Sequence, residues 1–93
     1  PDITANAGWR RDLTEVVENL VRRRWPIRVH ATYDETIANI LDVFEDVHRR
    51  ERAAGRAGFA GLRWAIDHAE TATPANLRRI GALGGGVMVQ NRM

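Results

Sequence analysis

The sequence predicts an α/β fold in which about three parallel strands alternate with helices, the arrangement of a partial (β/α)8 TIM barrel. Three observations predict it. Apolar residues recur at helical spacing in three separate stretches, each is followed by a short apolar run suited to a buried strand, and Pro or Gly punctuates the boundaries. The connections between successive strands are long enough for the crossovers that parallel pairing requires. With 93 residues, the chain is far shorter than the roughly 250 of a complete barrel. It is therefore expected to be an interior piece of a larger protein.

Each element follows from local pattern. Over residues 9–24, Trp9, Leu13, Val16, Val17, Leu20 and Val21 fall on one helix face, and Asp12, Glu15 and Glu18 precede Arg22, Arg23 and Arg24, the order that complements a helix dipole. Pro26 ends that helix, and residues 26–32 read as a strand ending near His30. A capping side chain between Thr32 and Glu35 opens a second helix over 34–54, with Ile37, Ile40, Leu41, Phe44 and Val47 on its apolar face. Gly55, Gly58 and Gly61 interrupt it, and a strand follows over 62–69. Thr73-Pro74 starts a third helix over 74–83 that carries Leu77, Ile80 and Leu83. Gly84-Gly85-Gly86 reads as a helix stop and tight turn before a strand over 86–90. Trp9, Trp25 and Trp64 are expected in the core, and His48 on the surface beside Arg49 and Arg50. Helices on one side of such a sheet leave the other face bare, to be covered by more barrel, a second layer or self-association.

Composition narrows the function. An apolar fraction of 44% with 28% charged residues belongs to a folded chain with a core. There is no cysteine, so any metal must be held by nitrogen or oxygen. Lysine is also absent, which removes Schiff-base and bridging-lysine chemistry from this segment. The net charge of +2 comes from arginines interspersed with acids, without an aromatic platform, and no nucleic-acid partner is expected. No apolar run suits a membrane span, and a cytoplasmic location is expected.

Strand alternation puts Arg28 and His30 on one face of the first strand, with Ile27, Val29 and Ala31 on the other. If the aliphatic face meets the helices, His30 points into the barrel at the C-terminal end of its strand, where barrel active sites form. His68 is expected at the equivalent place one repeat later, in a strand that puts Trp64, Ile66, His68 and Glu70 on one face. Two imidazoles from neighbouring strands suit zinc and similar divalent ions. Such an ion activates water and polarises a carbonyl, although each histidine could equally serve only as a hydrogen-bonding strand terminus. Asp67 and Glu70 flank His68 as possible orienting partners, and Gln90 at the end of the third strand could touch substrate.

Three segments carry a resemblance. Trp25-Pro26-Ile27-Arg28-Val29-His30-Ala31-Thr32, Ile66-Asp67-His68-Ala69-Glu70 and Gly84-Gly85-Gly86-Val87-Met88-Val89-Gln90 resemble the fifth, sixth and seventh barrel strands of the metal-dependent amidohydrolases. The nearest branch is the amidohydrolase-3 group, which includes enzymes like N-substituted formamide deformylase. The resemblance implies His30 and His68 as ligands of a catalytic divalent metal, with zinc the expected ion. It implies hydrolysis of amide or related C–N bonds in a small molecule by metal-activated water. The family's first-strand histidine pair, fourth-strand lysine or glutamate and eighth-strand aspartate have no counterpart here, so the segment alone is expected to be inactive. The competing expectation is a non-enzymatic α/β interaction module that self-associates through its uncovered sheet face.

Overall fold

The computed structural model describes residues 8–31, 34–68 and 72–88. In chain order the elements are α1 (Trp9–Arg22), β1 (Ile27–Ala31), α2 (Asp34–Ala53), β2 (Trp64–His68), α3 (Pro74–Ala82) and β3 (Gly86–Met88). The strands form one parallel sheet in the order β1-β2-β3. β1 and β2 are each followed by a helix that returns the chain to start the next strand, the α/β arrangement the sequence predicts and an arc of a (β/α)8 barrel.

α1 stops two residues before the expected Arg24. The reason is local: Arg24 takes a left-handed backbone conformation, φ +60°, which costs about 1–2 kcal/mol for a residue with a side chain. Its guanidinium donates to the carbonyls of Gly58 and Ala60, tying this turn to the loop after α2. The reversal also corrects the expectation for Trp25. This residue lies in the turn before β1 begins, its N–H bonded to the Leu20 carbonyl, and its side chain is exposed rather than in the core. Val16, counted with the apolar face of α1, is likewise exposed.

The core lies between the sheet and the helices. α2 supplies Ile37, Ile40, Leu41, Val43, Phe44 and Val47, α1 adds Val17 and Val21, and α3 adds Ile80. Ile27 and Ala31 of β1 and Trp64 and Ile66 of β2 meet them from the sheet. Phe44, Phe59 and Trp64 pack around a common centre, with ring centroids 5.1–5.6 Å apart. The Trp64 indole N–H donates to the Leu83 carbonyl at 3.0 Å, which meets the polar demand of a buried indole.

Two polar residues of α2 have structural roles that the sequence pattern does not show. His48 is half-buried, not a free surface histidine: its Nδ1 accepts the Phe59 N–H at 3.0 Å. Gly58 lets the chain pass that ring, since a Cβ there would lie 2.5 Å from His48 Nδ1. Glu51, near the end of α2, is 2% exposed. It accepts a two-pronged pair of bonds from Arg56, at 2.9 and 2.7 Å, and a shared Nε–H from Arg22. These bonds hold its carboxyl below the ordinary glutamate value, Arg56 being the main cause, against the opposing effect of burial.

Candidate metal-binding face

The helix-free face of the sheet is built by alternation. Ile27 and Ala31 of β1 are buried against the helices, so Arg28 and His30 emerge on the opposite side, where both are exposed. In β2, Trp64 and Ile66 take the helix side, and Asp67 joins Arg28 and His30 on the open face. The register aligns His30 with Asp67. His68 stands one residue further along, opposite Ala31. The expectation that the two histidines hold equivalent places is therefore corrected: the residue level with His30 is Asp67, and strand alternation groups the His68 position with Trp64 and Ile66 rather than with the face of His30. Of His68 the backbone alone is described, and Glu70 and Gln90 lie outside the described residues.

The side chains on this face converge. Arg28 Nε–H is shared between the two carboxylate oxygens of Asp67, at 2.9 and 2.8 Å. His30 Nε2 lies 3.7 Å from Asp67 Oδ2. Asp67 is 6% exposed even though its face carries no helix, and a buried carboxylate requires such partners.

A second polar network sets the ends of the helices that follow the strands. Asp34, the first residue of α2, accepts the Thr73 N–H at 2.7 Å and the Asn76 side-chain N–H at 2.8 Å. The Thr73 N–H, then the Asn76 amide, hold the Asp34 carboxyl below the ordinary carboxylate range. Asn76 in turn accepts from Arg79, which also donates to Glu45 and Asp42. The start of α2 and the start of α3 are thereby joined directly, and these starts follow the C-terminal ends of β1 and β2. Neither the link from Asp34 to α3 nor the pairing of Arg28 is marked in the sequence pattern. Alternation already placed Arg28 on the face of His30, but its partner depends on strand register.

The donor chemistry of the open face fits a divalent ion, because imidazole and carboxylate are both ordinary ligands of zinc and its neighbours. The number of donors does not suffice. Among the described residues, no group of three or more His, Cys, Asp or Glu side chains could hold a metal. Both oxygens of Asp67 are also engaged by Arg28.

Residues 4–93 match the model of the amidohydrolase family. The chain belongs to the amidohydrolase family. Amidohydrolases are hydrolases acting on C–N bonds of small molecules and are generally metal-dependent. No curated protein and no solved structure matches the sequence. Within the amidohydrolase frame, the open face of the three strands corresponds to the inside of the barrel and the helices to its outer ring. No helix among the described residues is long and apolar enough to cross a membrane.

Proposed function

We propose that this segment supplies two ligands, His30 from the open face and His68 from the last position of β2, where the chain leaves the strand, to the catalytic divalent metal of an amidohydrolase that cleaves amide or related C–N bonds. The observation that carries the reading is the position of His30 in a chain of this family: near the C-terminal end of β1, on the face opposite the helices, beside the carboxylate of Asp67. Zinc is the ion best suited to such donors, and an amide of the kind the deformylase-like branch cleaves is the proposed substrate class. A bound divalent ion supplies water activation and carbonyl polarisation. His30 would hold it, and Asp67 would orient the His30 ring from the neighbouring strand, as ligating histidines commonly require. Glu70 and Gln90 are proposed as further orienting or substrate-contacting groups.

The remaining ligands and the proton-transferring group would come from barrel strands outside these 93 residues, and the segment alone would be inactive. The test is metal analysis of the full enzyme with His30→Ala and His68→Ala. Each substitution is expected to remove most of the bound metal and the hydrolytic activity. Wild-type metal content in both variants would reject the assignment. The uncovered sheet face favours one second reading, mutual coverage between copies of this chain without catalysis. Light scattering on the metal-free chain separates the two, since that reading requires a defined oligomer.

A further inference from the structure

We infer that Arg28 is a positioning residue for the metal site, acting through Asp67 on His30. The inference rests on the reading of His30 as a ligand. Arg28, His30 and Asp67 are the charged or titratable side chains that β1 and β2 bring to the open face among the described residues. Asp67 has two possible fates beside a metal. A carboxylate without a partner, adjacent in register to a ligating histidine, would be free to turn away from the ring and leave it unoriented. Arg28 blocks that outcome by donating one N–H to both oxygens, at 2.9 and 2.8 Å.

The bonded carboxylate is then fixed with Oδ2 3.7 Å from His30 Nε2, close enough to bias the ring electrostatically. The three residues occupy two adjacent strands, so the arrangement inherits the rigidity of the parallel register rather than that of a loop. Arg28 is well suited to this work because its guanidinium stays charged whatever happens around it. It has no part in the helix-side core, since its side chain is 63% exposed. A change in metal binding on its removal would therefore not be a secondary effect of lost core packing.

The experiment measures metal dissociation constants of the full enzyme by chelator competition, for wild type, Arg28→Met, Asp67→Asn and the double variant, with His30→Ala as reference. Thermal midpoints of the metal-free proteins and visible spectra of the cobalt-substituted ones are recorded alongside. Arg28→Met is expected to weaken metal binding about 10–100-fold, the range usual for loss of an orienting partner, and to alter the cobalt spectrum. The double variant should be little worse than Asp67→Asn, because Arg28 acts through Asp67. Should Arg28→Met not fold, Arg28→Gln serves in its place, and Arg28→Lys, which keeps the charge, should recover much of the affinity. Loss of metal in His30→Ala with unchanged affinity in the Arg28 variants overturns the role of Arg28 alone, even if their metal-free midpoints fall. Retention of metal in His30→Ala removes the ligand assignment and this inference with it.

Discussion

Gly85→Ala is expected to be the most damaging exchange in the glycine run, for a reason the structure makes quantitative. A Cβ at Gly85 would lie 2.3, 2.4 and 2.6 Å from three atoms of the Trp64 ring. That ring is 3% exposed, packed edge-on against Phe44 and Phe59, and bonded through its N–H to Leu83. It has no direction in which to retreat without displacing an aromatic neighbour or losing the hydrogen bond. Overpacking costs about 1–3 kcal/mol and the bond about 1 kcal/mol, so a loss of about 2–4 kcal/mol follows. Two neighbouring positions serve as controls. Gly84 has φ +79° and nothing within 4 Å of a Cβ, so Ala there costs only the left-handed backbone, about 1–2 kcal/mol. Gly81 lies within α3 with open space around it, and Ala should stabilise that helix by about 0.5–1 kcal/mol. Urea-unfolding midpoints, followed by tryptophan fluorescence and circular dichroism, should rank Gly81→Ala above wild type, then Gly84→Ala, then Gly85→Ala. If Gly85→Ala costs no more than Gly84→Ala, the packing argument around Trp64 is refuted.

Two further outcomes follow from polar groups. Because Arg56 and Arg22 depress the folded-state pKa of Glu51 below its ordinary 4.5, the stability this group contributes is present above that value and is lost as pH falls through the folded-state pKa; Glu51→Gln should flatten this acid limb in urea midpoints measured against pH, and an unchanged limb would contradict the pairing. Thr73 caps α3 by accepting the Asn76 N–H at 3.3 Å; Thr73→Ala should cost about 1 kcal/mol and Thr73→Ser almost nothing, as read from the same unfolding curves.

The fold class was legible because it depends on local signals. Helical spacing in α2, the Thr73-Pro74 start of α3 and the glycines between elements all speak within a few residues of one another. The exposure of Trp25 is not legible in the sequence, because hydrophobicity does not reveal that Arg24 reverses the backbone just before it. The role of His48 is hidden for a related reason: its partner, Phe59, is brought back by a loop whose path depends on Gly58. In the candidate site, alternation within β1 was readable and put Arg28 beside His30. The pairing of β1 with β2 was not, since register is a property of two strands packed against the same helices. A difference of one residue decides whether Asp67 or His68 stands level with His30.

The two faces of β1 and β2 also shape how such a segment can change over evolutionary time. Ile27, Ala31 and Ile66 answer to the helices, whereas Arg28, His30 and Asp67 answer to whatever lies across the open face. Under the proposed metal-site reading, adjacent codons in these strands would come under separate selection, one for persistence of the fold and the next for chemistry. A deep mutational scan should show this as a two-residue rhythm, with tolerance to heat and capacity for metal failing at alternate positions. A lineage could exchange its substrate by rewriting every second residue and leave the remainder untouched.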